Sequence, residues 1–583
     1  MMLQETYPEG VWLIDFEFRP EGGVDGGNPE VICLVAREYF SGQLHRYWKD
    51  DLAQMDSAPF PIGNKAIIVA YYAAAEMGAF LALGWDLPIN ILDLFIVFRN
   101  HLNGIGSNFG FTLLGALSHF GIPSITDHEK DQGRRLALRG GPWTEEEKIY
   151  LLDYCQSDVD ALKPLLEKLL PYIDWPRIFL HGAYTGAAAH IERTGIPLDM
   201  EILGIIKTKW SEIISKLVGE IDAKYGVYEG TVFKLRKFED YLQRSGIPWP
   251  RSPTGKLDLT DDTFKDMARI YPQLSPLREL RSTLAQSREI KLQVGLDGRN
   301  RALLSYFQSI TGRNQPSTNR FIFGNASWWR GLIKPGPGRG LAYVDYSQQE
   351  FGIAAALSGD ENMMAAYKSG DPYLSFAKQV GAVPQDATKK SHPDEREQFK
   401  QCILATQYGM GAASLAARIN QPEIYARELL RYHRQAFKGF WAWSDRVVDH
   451  GVITGQLWTV FNWRLRIGAN VNERSLRNFL MQANGAEMLR LACIMAMQAG
   501  IQICAPVHDA LLIEAPLDIL DETVAKIQQI MKEASAIVLG GFELTTEAKI
   551  VRYPERYMDL RGIQMWNTIM KLAGLHDQMH SNG

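Results

Sequence analysis

The sequence predicts a multidomain protein of mixed α/β and α+β class, and three observations carry that expectation. Its 583 residues exceed what one hydrophobic core holds, so three or four domains are expected. Residues 1–180 alternate short apolar runs with helical periodicity, as an α/β unit does. Farther on, two short apolar runs each deliver an aspartate, Asp345 and Asp509, with a largely helical stretch between them.

The elements follow in order. Residues 11–14 form an apolar run that ends on Asp15, and residues 31–36 form a second run after a Gly/Pro/Asn-rich loop. Together they read as a buried strand, a turn and another strand. Residues 65–70 supply a further strand, and residues 150–170 have helical spacing. Residues 190–300 are mostly helical in pattern, with Arg278, Arg281 and Arg288 within about 80° of one another on a helical wheel. Such a stripe suits a phosphate backbone; it equally suits a solvated face paired with Glu279 and Glu289. The turn-forming run 334–340 then breaks regular structure ahead of a strand over 341–344 that presents Asp345. A polar loop over 384–395 precedes a long helix starting near Arg396. Residues 501–515 read as a hairpin with His508 and Asp509 at its bend.

Composition narrows the function classes. With 62 basic and 67 acidic residues the net charge is −5, which disfavours a polycationic coat but leaves room for a local basic face. The five cysteines are scattered without C-x-x-C spacing, so they read as buried thiols, not as a zinc site or disulfide frame. No targeting segment or membrane-length apolar stretch is visible. A cytoplasmic, monomeric enzyme is expected.

The strongest chemistry lies in three motifs: Asp345-Tyr346-Ser347-Gln348-Gln349-Glu350, then Arg396-x3-Lys400-x7-Tyr408-Gly409, then Val507-His508-Asp509. Joining a nucleotide to a primer 3′-hydroxyl needs a poor nucleophile deprotonated and a crowded phosphoryl charge neutralised. Two Mg²⁺ ions about 3.5–4 Å apart do both, and their natural ligands are carboxylates on rigid strand ends. Asp345 and Asp509 fit that requirement. Arg396, Lys400 and Leu404 recur every fourth residue and drift only about 40° per step around a helix, so both cations can grip a triphosphate.

The order, residue types and spacing resemble motifs A, B and C of the family A, DNA polymerase I-like enzymes. The resemblance implies a right-hand polymerase with thumb, antiparallel palm and helical fingers. It implies that Tyr346 joins Asp345 and Asp509 at the metals. Glu350 would crowd the sugar 2′ position, Tyr408 would lie beside the template base, and Gln349 and Leu404 would border the nucleotide. Arg313 (in Thr311-Gly312-Arg313), Arg474, Asn478, Gln482 and His508 would contact primer–template DNA. Three positions depart from the family pattern: Leu404 where Phe or Tyr is usual, Ala510 where many members carry Glu, and Gln349 where Ile is usual.

The N-terminal unit has its own signature. Asp15-x-Glu17 resembles the first motif of the DEDD 3′-5′ exonucleases, and Tyr154-x3-Asp158 the third, whose Tyr positions the attacking water. For the second motif the family has Asn followed four residues on by an acid. Tyr72 and Glu76 stand there, with Asp93 as the alternative carboxylate. The resemblance thus implies a ribonuclease H-like exonuclease domain over 1–180, connector and thumb over 181–300, and palm over 301–360. Fingers over 361–440 and a returning palm with C-terminal tail over 441–583 complete it.

The layout expected is Klenow-like, with no 5′-nuclease domain ahead of Asp15, as in phage replication enzymes. The expected partners are primer–template DNA, deoxynucleoside triphosphates and replication accessory proteins. The expected cofactor is Mg²⁺, two per site, with Mn²⁺ as an alternative. A silent exonuclease and specialisation for a modified base such as 2-aminoadenine stay open. A single-subunit RNA polymerase shares the palm logic, but Glu350 and the N-terminal motifs argue against it.

Overall fold

The computed structural model describes residues 2–123, 126–252, 254–285, 290–419, 421–468 and 472–575. Its N-terminal unit is built on a five-stranded sheet of β1 (Val11–Pro20), β2 (Pro29–Glu38), β3 (Leu44–Trp48), β4 (Ile67–Ala70) and β5 (Ile91–Asp93). The spatial order is β3-β2-β1-β4-β5. The first three strands run antiparallel, and β4 and β5 run parallel to β1. Parallel neighbours need crossovers, and helix α1 (Ala74–Leu83) supplies the one from β4 to β5. Helices α2 (Leu94–Leu102), α3 (Asp127–Arg139) and α4 (Glu145–Leu169) follow β5. Helix α4 starts in a capping box, Thr144 with Glu147, and lays Leu151, Cys155, Val159 and Leu162 onto the sheet. The expected strands and the 150–170 helix are therefore present: β1, β2 and the start of α4 run beyond the expected bounds, whereas β4 begins two residues later, at Ile67.

Helix α5 (Arg177–Thr194) leads out of this unit. Residues 200–285 form a helical region whose apolar side chains, Trp210, Phe238, Phe264 and Leu277 among them, share one core with Leu341, Val507, Leu512 and Val551. The arginine stripe resolves differently from both expectations. Arg281 turns inward, its guanidinium 4.4 Å from the Phe233 ring centre and 4.2 Å from that of Phe264, while Arg278 pairs with Asp261 at 3.5 Å. A stacked guanidinium buries its stem and keeps its charge over the ring faces. Arg288 lies outside the described residues.

The second sheet is antiparallel and has four strands: β6 (Arg339–Tyr346), β7 (Gln502–Val507), β8 (Ala510–Pro516) and β9 (Thr546–Arg552), in the order β7-β8-β6-β9. Between β6 and β7 in sequence lie helices α6 (Pro393–Gln407) and α7 (Glu473–Gln498). Helix α6 begins three residues before Arg396, with Pro393 at its first turn, where a missing N–H costs nothing.

A polar seam joins the two halves. Arg99 Nε donates to the Phe307 carbonyl at 3.1 Å, and Asn103 Nδ2 to the carbonyls of Ile310 at 2.7 Å and Arg464 at 2.8 Å. All five cysteines are buried free thiols. Among the described residues no helix is long and apolar enough to cross a membrane.

Candidate active sites

The C-terminal site grows from the centre of the second sheet. Asp345 is on β6, directly opposite Ala510 on one side and Glu547 on the other. Cross-strand partners present their side chains on the same face. Asp509 sits in the tight β7–β8 turn after His508, whose φ is +58°, so the turn swings the second carboxylate toward the first. Burial and then Asp509 push Asp345 up to about 7; burial also raises Asp509, which shares a hydrogen bond with it. Asp345 Oδ1 is buried without a hydrogen-bond partner. Leaving a buried oxygen unpaired costs about 1–3 kcal/mol, and two close carboxylates with an orphaned oxygen suit a divalent cation. The Tyr346 hydroxyl is committed to the Met531 carbonyl at 2.6 Å, so only its main-chain carbonyl remains for such an ion.

One cleft of about 450 Å³ gathers most of the other expected residues. It is lined by Asp345, Asp509, Gln349, Glu350, Arg396, Lys400 and Leu404, and also by Tyr373, Lys389 and Glu547. Arg396 is held by Asp371, the residue that caps the helix Pro372–Gln379, and stacks on Tyr373. Lys400 is half-exposed and lies 3.6 Å from Glu397. The Tyr408 hydroxyl donates to Glu350 Oε2, and Arg313 lies 3.7 Å from the other Glu350 oxygen. Gln482 Nε2 reaches the Tyr408 hydroxyl at 3.5 Å. Gln349 is 4% exposed and packs its amide against Gly485 of α7.

Arg474, Asn478 and Gln482 follow one face of α7. Arg474 packs its stem on Gly409, and Asn478 keeps a buried, unpartnered oxygen. Arg313 and His508 line a neighbouring hollow of about 210 Å³ with Asn314 and Arg490. The sequence reading missed Glu547, Lys389 and Tyr373. No local spacing marks them, because strand register and helix packing bring them in.

The N-terminal site is tighter. Asp15 and Glu17 are two apart on β1 and so share a face, and Tyr154 and Asp158 are one turn apart on α4. Donor oxygens of Asp15, Glu17 and Asp158 all lie within 4.8 Å of one another. Burial, then the charge of Asp158, pushes Asp15 up to about 8, and burial followed by Asp15 raises Glu17. The Cys155 thiol donates to Asp15 Oδ2 at 3.3 Å.

Glu76 stands outside that tight set yet near it. It is 4% exposed, its Oε2 has no partner, and burial followed by the Asp15 charge raises its pKa. Asp93 is spoken for. Its oxygens accept the N–H groups of Tyr72, Ala73 and Phe95 at 2.9–3.0 Å and the Tyr306 hydroxyl at 2.7 Å. Tyr72, at the position where the resemblance expects Asn, adopts a φ of +69° and stacks on Tyr306 with ring centres 4.4 Å apart. Three clustered carboxylates with an unpartnered fourth fit a divalent-cation site better than a structural network, which would pair every oxygen. Lys130, which no motif marked, reaches Asp158 with its ammonium at 2.9 Å.

Residues 314–552, from the segment after Arg313 through the end of β9, match the model of DNA polymerase family A. Over that stretch the chain is similar to the family A DNA polymerases. Its relatives include the thermostable DNA polymerase I of Thermus thermophilus, 26% identical over 440 residues, covering 68% of this chain and 50% of that protein. The DNA polymerase of Mycobacterium phage L5 is 23% identical over 412 residues, covering 67% of this chain and 64% of the phage protein. The chain thus spans about half the length of the bacterial relatives it matches. Among solved structures, the polymerase domain of Pol1 from M. smegmatis, in complex with DNA primer-template and dNTP, superposes with a TM-score of 0.70. It is 19% identical and covers 94% of this chain and 97% of that one, a likeness of fold.

Proposed function

We propose that this chain is a template-directed DNA polymerase that extends a primer 3′ end with deoxynucleotides and proofreads through its N-terminal unit. The observation that carries the reading is the single cleft in which Asp345 and Asp509 face Arg396, Lys400 and Glu350. On this reading the second sheet is the palm, the α6 region the fingers and residues 200–285 the thumb. Two divalent ions, when bound, activate the primer hydroxyl and neutralise the leaving phosphates. Asp345, Asp509 and the Tyr346 carbonyl hold them. Arg396 and Lys400 grip the triphosphate as α6 closes, and a closed lid admits only a correctly shaped pair. Glu350, fixed by Tyr408, fills the space a 2′-hydroxyl would need. Arg313, Arg474, Asn478, Gln482 and His508 line the path of the primer–template.

The N-terminal strand order, with Asp15, Glu17 and Asp158 converging and Tyr154 beside them, supports a ribonuclease H-like 3′-5′ exonuclease using Mg²⁺ or Mn²⁺. Glu76 serves as the fourth carboxylate. Asp93, being saturated, supports α1 instead. The match to the phage polymerase supports a role in phage DNA replication, in the host cytoplasm.

The test is extension of a 5′-labelled primer ending in a 3′ mismatch, with Mg²⁺ and four deoxynucleotides. Shortening before full extension is expected, with shortening lost in Glu17→Ala and extension lost in Asp345→Ala. Failure to extend even a matched primer would overturn the polymerase reading. Extension without shortening would overturn the proofreading half alone.

A further inference from the structure

We propose that Lys130 is a substrate-contacting residue of the N-terminal site: its ammonium sits on Asp158 where a divalent cation binds, yields that seat on metal loading, and then faces the phosphodiester as a tethered cation. The inference rests on the nuclease reading above.

The geometry is specific. Lys130 is on the first turn of α3, and its Nζ donates to both Asp158 oxygens, at 3.1 and 2.9 Å. Asp158 belongs to the set whose oxygens converge within 4.8 Å, so the ammonium lies against electron pairs that a hard cation would take. Glu76, outside that set but charge-coupled to Asp15, has a buried oxygen with no partner. Asp158 is only 12% exposed at its side chain while Lys130 is 27% exposed. Lys130 is thus the more solvent-exposed partner of the pair and can be reached by an arriving strand end.

Helix α3 is seated to hold it there. A Cβ at Gly133 would lie 2.6–2.8 Å from ring carbons of Tyr154, so only glycine lets α3 approach that ring. Lys130 and Gly133 are one turn apart and share a helix face. The turn that carries the ammonium is thus anchored on the tyrosine beside the reacting centre.

Charge gives the ammonium a second task. Four carboxylates balance two divalent ions, and a phosphodiester entering that neutral site brings negative charge that grows during hydrolysis. Lys130, freed from Asp158, can meet it, because a four-carbon stem moves its ammonium by several ångströms without moving the helix. An ordinary surface ion pair predicts neither competition with metal nor contact with substrate.

The experiment uses the full chain carrying Asp345→Ala and Asp509→Ala, which removes metal binding at the other site. Free Mn²⁺ is followed by electron paramagnetic resonance, and Asp15→Asn marks the N-terminal ion. Adding Lys130→Met is expected to tighten Mn²⁺ binding about tenfold. It should also weaken binding of a single-stranded oligothymidylate with a 3′-terminal phosphorothioate about 10–100-fold at saturating metal, the range for one charge-assisted contact. Lys130→Arg should keep most of the oligonucleotide affinity, which separates lost charge from a displaced helix. Unchanged Mn²⁺ affinity in Lys130→Met, or unchanged oligonucleotide affinity, overturns the proposal. Both readouts work without turnover. A parent chain that binds Mn²⁺ and oligonucleotide but removes no nucleotide refutes the nuclease reading and leaves the Lys130 result to be judged separately.

Discussion

The two carboxylate sites of this chain solve one electrostatic problem in opposite ways. In the C-terminal cleft Asp345 and Asp509 stand on adjoining strand ends, and the cations are kept apart on α6, where Asp371 and Glu397 restrain them. In the N-terminal site three carboxylates converge, a fourth is buried nearby, and a lysine lies directly on one of them. The difference follows from the ligand each is read to take. A triphosphate arrives with charge that needs its own cationic clamp, so Arg396 and Lys400 stand apart from the metal-binding carboxylates and would exchange Asp371 and Glu397 for it. A single phosphodiester carries far less charge, so metal-binding carboxylates and one tethered ammonium suffice.

The sharpest way to break this comparison is to exchange the losses. Asp509→Asn is expected to lower primer extension by about 10³-fold or more while leaving shortening of a single strand intact, and Asp15→Asn to do the reverse. A variant that silences both activities would show the sites to be one functional unit, coupled through the apolar core that runs from the first sheet to the second.

A smaller effect is expected from the clamp. Lys400→Ala should raise the KM for deoxynucleotides about 10–100-fold with shortening unchanged, since it removes one charge-assisted contact to the ligand proposed for that cleft. An unchanged KM would mean that Lys389, on the same cleft wall, carries the triphosphate instead.

Protons sharpen the contrast further. Groups whose pKa is raised hold protons near neutrality that a metal must displace, so metal affinity climbs with pH until the raised pKa is passed. Burial, then Asp509, sets Asp345 at about 7; burial, then Asp158, sets Asp15 at about 8, and Glu17 and Glu76 are raised too. At limiting Mg²⁺ the ratio of shortening to extension should therefore rise between pH 7 and 8.5. At saturating Mg²⁺ the rise should flatten. A ratio that falls with pH would contradict the assignment of the more proton-loaded site.

The smallest effect concerns stability at the junction of the halves. Glu192 on α5 accepts the Leu304 N–H at 2.7 Å, and burial raises it to about 7. A carboxyl with a raised folded pKa contributes stability that is complete below its unfolded value and lost as pH rises through the folded one. Glu192→Gln should leave the melting temperature near pH 4.5 unchanged and raise it by about 2–4 °C at pH 8. Equal shifts at both pH values would mean that the effect is packing and not ionisation.

How much of this was legible differs between the sites. The C-terminal motifs are contiguous or helix-spaced, so Asp345, Arg396, Lys400 and Asp509 could be named from local pattern, and the structure draws them to one cleft. The N-terminal site was half legible. The pairs Asp15 with Glu17 and Tyr154 with Asp158 obey strand and helix periods. The choice between Glu76 and Asp93 did not, because it turns on which carboxylate is consumed by α1's first N–H groups and by Tyr306, more than 200 residues away.

The sequence by itself determined the class of fold, the two aspartate-bearing strands, the cationic helix and the family resemblance, since all of these rest on short-range periodicity and spacing. Only the tertiary structure decided that Glu547 flanks Asp345, that Arg281 is stacked between aromatic rings, and that Lys130 rests on Asp158. Each of these depends on strand register or on one element packing against another far away in the chain. Such contacts are set by burial and shape across the whole fold, and no local pattern of residues encodes them.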